Sequence, residues 1–317
     1  MTNSLVEILI STYNGEKYLK AQLNSIFKQD YTNWRLLIRD DGSTDSTLSI
    51  LNDYVKKHPD KIQLLNDTEG NIGYSNSFSK LLKQSSANYV MYCDQDDYWY
   101  PCKISSMLSV MLEEEARLPA KAHMVFSDLE VADSELKVNS PSFLRLMRYS
   151  SRKDMQIFFL KNYAPGCNLL FNRILIQSAL KTDNVINLHD HWLLMVCSSV
   201  GEVSFINKPL MRYRMHANNA IGFIEQHSTF IKRVSLSIKS IVKYGLSNAK
   251  YRDLLYRKNI QQMKNICECL PTLASKEAFA FSMIGRSTYL RRKIKNIRKP
   301  YILERSLLKQ ITYIICF

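Results

Sequence analysis

Short apolar runs alternate along the first half of the chain with segments whose apolar residues recur every three or four positions. "LVEILIST", ending at Thr12, is apolar except for Glu7 and predicts a buried strand. "GEKYLKAQLNSIFKQ" then places Tyr18, Leu19, Leu23, Ile26 and Phe27 on one helical face. "WRLLIRD" reads as a second strand, "STDSTLSILNDYVKKH" as a helix opening on capping side chains, and "KIQLLN" as a third strand. "GYSNSFSKLLKQS" reads as a helix and "YVMYC" as a fourth strand. Beyond Pro101 the pattern predicts a helix to about Arg117, a strand "HMVFSDLEVAD", and a polar stretch around 137–156. "GCNLLFN" runs as a strand into the helix "RILIQSALK"; "DHWLLMVCSSVG" predicts a helix, "EVSFIN" a strand, and "RYRMHANNAIG" a loop.

Strand and helix in alternation imply an α/β architecture with a mostly parallel sheet and helices on both faces. Such sheets bind ligands beyond the carboxyl ends of their strands. The polar clusters "STYNG" (11–15), "RDDGSTD" (39–45) and "CDQDD" (93–97) all fall at predicted carboxyl ends, so they converge on one crevice. After Gly222 the pattern changes to helix throughout, with Phe230, Val234, Ile238, Ile241 and Val242 on one face of the first. We expect two domains, 1–224 and a helical region 225–317.

Charge sharpens that division. The chain of 317 residues carries a formal net charge of +14, yet Lys232 to Phe317 holds +15 and residues 1–231 are near neutral. A cationic terminal region points to a polyanionic partner, either an anionic membrane surface or nucleic acid. No helix-turn-helix, finger or RNA-binding signature accompanies the charge, so nucleic acid is not the expected partner, although binding nucleic acid through these helices stays the alternative function. The cysteines are odd in number and lack the paired spacing of a zinc site, which predicts reduced thiols. No apolar run is long enough to span a bilayer, and the amino terminus lacks a signal-peptide pattern, so a cytoplasmic protein is expected.

"YCDQDDYWYP" gathers Asp94, Asp96 and Asp97 behind an apolar strand. Like charges at such a place are offset most often by a bound cation, and otherwise the motif is a solvated acidic turn. Together with "ILISTYNGEKYLKAQLNSIFKQDYTNWRLLIRDDGSTDST", this segment resembles the family 2 glycosyltransferases, which share the GT-A fold, a Rossmann-like nucleotide-sugar-binding domain. "GCNLLFN", "HDHW" and "YRMHANNAIG" are similar to motifs of that family's bacterial rhamnosyltransferase-like branch. The likeness covers residues 5 to about 222.

The resemblance implies an inverting enzyme that moves a sugar, rhamnose or a hexose, from a dTDP- or UDP-linked donor to a glycan acceptor. Transfer develops negative charge on the departing diphosphate, and a divalent ion beside it acts as a Lewis acid. Mn²⁺ or Mg²⁺ suits the oxygen ligands of Asp96 and Asp94, with His216 of "YRMH" reaching the metal or diphosphate. Asp40 and Asp41 then bind base or ribose, Thr12, Tyr13 and Asn14 line the other side of the base, and Gln95 joins the nucleotide-sugar site. Arg214 and Lys103 approach the diphosphate. Asp190 is the expected catalytic base, or else the N-cap of the helix that follows, and His189 and Trp192 are assigned to the acceptor. An acceptor carried on a polyprenyl diphosphate would place the enzyme peripherally on the inner face of the cell membrane, held there by its basic helices; those helices pack instead on the catalytic domain or a second copy under the alternative.

Overall fold

The computed structural model describes residues 3–147, 162–180 and 189–216. The basic helices expected over 225–317 lie outside them. Four parallel strands come first: β1 (Val6–Thr12), β2 (Trp34–Asp40), β3 (Ile62–Leu64) and β4 (Tyr89–Cys93). Helices α1 (Leu19–Phe27), α2 (Thr47–Lys57) and α3 (Tyr74–Gln84) connect them. All five residues of β4 are buried. Successive side chains point to opposite faces, so the sheet is covered on both sides there. The single charge inside β1, Glu7, is matched across the ladder by Arg35, its register partner on β2, at 2.6 Å.

The second half builds the rest of one nine-stranded sheet in the order β3-β2-β1-β4-β8-β6-β9-β5, with β7 on β6. Its members are β5 (Tyr98–Trp99), β6 (Ala122–Ala132), β7 (Val138–Ser140), β8 (Leu169–Asn172) and β9 (Gly201–Arg214). The helices are α4 (Lys103–Arg117), α5 (Phe143–Leu146), α6 (Arg173–Ala179) and α7 (His189–Val200). No described helix is long and apolar enough to cross a membrane. Asn172 both ends β8 and caps α6: its side-chain oxygen accepts from the Leu175 N–H at 3.1 Å.

Beyond β4 the sheet is mixed rather than parallel. β8 runs antiparallel to β4 and β6, while β6 and β9 are parallel to each other. The carboxyl ends of β1, β2, β4, β6 and β9 therefore share an edge with the amino end of β8. "RYR", expected in a loop, instead completes β9, because β6 supplies backbone partners as far as Ala132 opposite Arg214. The polar stretch after residue 137 likewise opens with strand β7 and with α5, which Ser142 caps by accepting from the Arg145 N–H.

Candidate active site

At the β1 and β2 ends, Thr12 and Asp40 are register partners, and the Thr12 hydroxyl donates to Asp40 Oδ1 at 2.8 Å. The Ser43 N–H and hydroxyl also donate to Asp40, at 2.8 and 2.6 Å. Asn14, in a left-handed conformation (φ 45°), accepts from the Thr44 N–H, and its own N–H donates to Ser43 Oγ. These bonds lace the two loops into one wall, on which Tyr13 stands 47% exposed. Gln95 pins that wall to the acidic segment. Its Oε1 accepts from the Tyr13 N–H and its Nε2 donates to the Tyr13 carbonyl, both at 2.9 Å. The approach demands glycine at 15, where a Cβ would meet Gln95 Oε1 at 2.2 Å. Gln95 thus spends its amide on the protein.

Asp41 faces inward and offers no ligand-binding oxygen. Its carboxylate is buried, ion-paired to Arg39, and accepts from the N–H groups of Ile72 and Gly73 at 2.8 and 2.9 Å. Adjacent residues on an extended backbone turn to opposite sides, so Asp40 and Asp41 could not both face the crevice. Arg39, itself buried, also binds Asp67, Ser77 and the Gly70 carbonyl.

The acidic segment sits at the centre of the shared edge. Asp94, Asp97 and Cys167 bring ligand-type atoms within 4.8 Å of one another. Burial, and then the charges of Asp96 and Asp190, push the Asp94 carboxyl up to about 7. Asp97 is raised well above the carboxylate range by burial and by the Asp96 and Asp94 charges; its Oδ1 accepts from the Arg214 N–H at 3.0 Å. Asp96 Oδ2 lies 2.8 Å from His216 Nε2, whose ring packs on Tyr18 at 4.8 Å. Arg214 is buried, gives Nε to the Asp96 carbonyl at 2.6 Å, binds the Ser134 carbonyl, and stacks over Tyr18. Arg214 therefore shapes the acidic loop from behind.

Lys103 is fully buried beneath the cluster rather than in the crevice. Nζ donates to the Cys167 carbonyl and to Asn168 Oδ1, both at 3.1 Å, and lies 4.5 Å from the Trp99 ring centroid. Burial pushes its ammonium down to about 8, against the opposing pull of nearby negative groups. Position 103 is a brace under the site, not a diphosphate contact.

Asp190 opens α7 with every carboxylate oxygen engaged. Oδ2 accepts from the Gly166 N–H at 3.1 Å and from Asn162 Nδ2 at 2.9 Å, while Oδ1 accepts from the His191 N–H at 2.7 Å. Gly166 begins the 3₁₀ turn Gly166–Asn168, and a Cβ there would sit 3.0 Å from His189 Nε2 and 3.4 Å from Asp190 Cβ. His189 stacks on Phe78 (4.5 Å, 9°) and abuts Tyr92, so the packing of aromatic rings fixes it. Trp192 is a core residue, its Nε1 donating to the Ala179 carbonyl at 3.2 Å. The acceptor assignment does not fit it. The Asp190 charge acts on Asp94, and both carboxylates act on the Tyr74 hydroxyl, whose ring lies against His189, so the acidic segment and the base candidate lie near one another. The motifs gave no sign of Tyr74 or Asn162, and placed Tyr18 only on a helix face; for Tyr74 the available signal was an aromatic at the head of the helix after "NIG".

This constellation has counterparts in known proteins. The family description Glycosyl transferase family 2 matches residues 7–179, from the second residue of β1 through α6. The chain belongs to glycosyl transferase family 2. Among curated relatives, the dTDP-rhamnosyl transferase RfbG of Shigella flexneri is 26% identical over 270 residues, covering 81% of this chain and 83% of that protein. The UDP-Glc:alpha-D-GlcNAc-diphosphoundecaprenol beta-1,3-glucosyltransferase WfgD of Escherichia coli is 32% identical over 208 residues, 65% of this chain and 75% of that one. The crystal structure of Staphylococcus aureus TarS residues 1–349 superimposes with a TM-score of 0.55 at 17% identity, over 97% of this chain and 77% of the other. That likeness shows the shared α/β fold of this glycosyltransferase, GT-A as the motifs implied.

Proposed function

We propose that this family 2 glycosyltransferase transfers rhamnose or a hexose, with inversion, from a dTDP- or UDP-linked donor to a hydroxyl of a lipid-linked glycan. The observation that carries this proposal is the closeness of the acidic segment to the base candidate: the Asp190 charge raises Asp94, both act on Tyr74, and the Asp40 wall lies on the same sheet edge. The relatives named for dTDP-rhamnosyl transfer and for a UDP-Glc donor on a diphosphoundecaprenol acceptor support the donor and acceptor classes.

Asp40 accepts from base or ribose, with Tyr13 covering that end. Asp190 takes the proton of the acceptor hydroxyl as its oxygen attacks the anomeric carbon. Three donors hold its carboxylate, so its orientation is fixed before the acceptor arrives. A lone carboxylate base opposite the leaving group gives one displacement and inverted configuration.

The residues fit a divalent cation. Asp94 retains its proton to about pH 7 because burial, and then the charges of Asp96 and Asp190, disfavour its carboxylate, and a cation would relieve both. Asp96 and Asp94, with His216 beside Asp96 at 2.8 Å, would supply carboxylate oxygens and one imidazole nitrogen suited to Mn²⁺ or Mg²⁺, and Asp97 and Cys167 bring further ligand-type atoms within 4.8 Å of Asp94. When bound, such an ion supplies Lewis-acid stabilisation of the departing diphosphate. The net +15 of Lys232 to Phe317 draws the chain to anionic headgroups on the cytoplasmic face, where a polyprenyl-diphosphate acceptor is presented.

The test is transfer or hydrolysis against a panel of nucleotide sugars with Mn²⁺, Mg²⁺ or chelator. Turnover of a dTDP- or UDP-sugar only with metal present supports the reading; equal turnover under chelation sinks the metal assignment, and turnover of none sinks the donor class.

A further inference from the structure

Large hydrophobic side chains standing exposed among the described residues include Tyr13, Leu48 and Tyr74. Tyr13 lies on the nucleotide wall. Tyr74 is different: it heads α3 at 44% exposure, with its ring edge-on to His189 at 5.7 Å (75° between planes). His189 is held in turn by its stack on Phe78 and its contact with Tyr92, and its neighbour is Asp190. Burial aside, the charges acting on the Tyr74 hydroxyl are those of Asp190 and then Asp94. The phenol therefore lies where both the acceptor-side and the leaving-group-side carboxylates are felt.

Its position is also built. The two residues before it, Ile72 and Gly73, give their N–H groups to Asp41, and Gly73 takes φ 82° to turn the chain into α3. Arg39 ties Asp41 to Ser77 one turn further along the same helix. A buried ion pair thus anchors the start of a helix whose first side chain is left partly in solvent. Leaving much of a tyrosine ring unburied forgoes hydrophobic stabilisation, which a ligand restores when it covers the ring.

We propose that Tyr74 contacts the transferred sugar, its ring against an apolar C–H face of the pyranose and its hydroxyl toward a sugar hydroxyl, and so helps set donor-sugar specificity. The anomeric carbon must lie between leaving group and nucleophile, which is the span between Asp94 and Asp190 that Tyr74 borders. This rests on Asp190 being the base.

The experiment compares wild type, Tyr74→Phe, Tyr74→Ala and Asp190→Asn, with the donor that the wild type uses best and its epimers or deoxy analogues. Binding of UDP or dTDP alone, by calorimetry, is expected unchanged in both Tyr74 variants. For Tyr74→Ala, kcat/KM for the best donor should drop about 10-fold or more, with the ranking among donor sugars compressed. Tyr74→Phe should retain the ring contribution and lose discrimination at one sugar hydroxyl. Unchanged kcat/KM and donor ranking in Tyr74→Ala, while Asp190→Asn is inactive, would overturn the Tyr74 assignment alone. An effect confined to acceptor KM, or equal loss of bare nucleotide binding, would overturn it as well. Full activity in Asp190→Asn would remove the base assignment, and with it the geometry on which this proposal stands.

Discussion

The cost of packing carboxylates at the end of β4 can be read from the stability of the metal-free protein against pH. Asp94 is pushed from an ordinary 3.8 to about 7. Between those values the folded chain holds a proton that the unfolded chain has released, so stability falls as pH rises from about 4 to 7. Each unit is worth about 1.36 kcal/mol, which puts the ceiling on the loss at about 4 kcal/mol. Asp94→Asn cannot ionise and escapes that loss. The stability of the variant relative to wild type should therefore climb steadily across this window, by up to about 4 kcal/mol, or about 10 °C in Tm for a protein of this size. Thermal unfolding of both proteins in chelator at pH 4.5, 6 and 7.5 reads the difference directly. The upper limit keeps Lys103, itself depressed to about 8, mostly charged; its own contribution runs the other way, rising as pH passes from about 8 toward 10.5. Adding Mg²⁺ or Mn²⁺ at pH 7.5 should recover wild type and leave Asp94→Asn nearly unmoved. A difference that stays constant with pH would refute the account of burial and repulsion, whatever the activity of the variant.

Three further outcomes follow from the geometry. Asp190→Asn should lower kcat by about 10²–10⁴-fold while calorimetric binding of UDP or dTDP stays as in wild type, since the proposed base would act on the acceptor; weakened nucleotide binding would move Asp190 out of that role. Gly15→Ala places a Cβ 2.2 Å from Gln95 Oε1 and must expel the amide that clamps Tyr13, so nucleotide affinity should fall, with Gln95→Ala in the same chain recovering part of the lost Tm; no recovery would mean the clash lies elsewhere. Arg39→Met strands the buried Asp41 carboxylate and should cost about 3–5 kcal/mol in denaturant unfolding, as the loss of one partner of a buried ion pair does. An effect under about 1 kcal/mol would show that Asp41 reaches water or another donor.

The alternation of β and α elements was legible because local pattern and tertiary burial agree there: "WRLLIRD" is β2 from its first residue to its last. The sheet edge that gathers the three polar clusters was legible too, as polar clusters following apolar runs. Side-chain direction was not. Asp40 and Asp41 are adjacent acids, and only the position of Arg39 beneath the turn shows which one faces inward. Lys103 was readable in part. It lies four and eight residues before Met107 and Met111, on the buried stripe of α4, and helical period alone places it inside. Trp192 falls in a helix buried on nearly all sides, a pattern that marks an interior helix rather than a ligand-facing one. The terminal extension of β9 was hidden because its arginines break the apolar pattern. Arg212 packs over Tyr100 and Arg214 over Tyr18, so cations occupy strand positions by stacking on aromatic rings.

The same stacking explains how a chain rich in cations keeps, among the described residues, an acidic cluster free of a direct side-chain bond from Lys103 or Arg214. Lys103 and Arg214 both lie close to the carboxylates, and either could have neutralised them and closed the site. Instead Lys103 gives its N–H groups to the Cys167 carbonyl and Asn168, and Arg214 gives Nε to the backbone carbonyl of Asp96. Each rests its charge on an aromatic ring, Trp99 or Tyr18. Backbone contacts fix where the acidic loop and the Gly166–Asn168 turn sit, and the turn in turn presents the Gly166 N–H that orients Asp190. The fold thus uses its buried cations to position the acidic loop and the turn beside Asp190 while leaving Asp94 raised by burial and by the charges of Asp96 and Asp190, a cost that the proposed divalent ion would relieve.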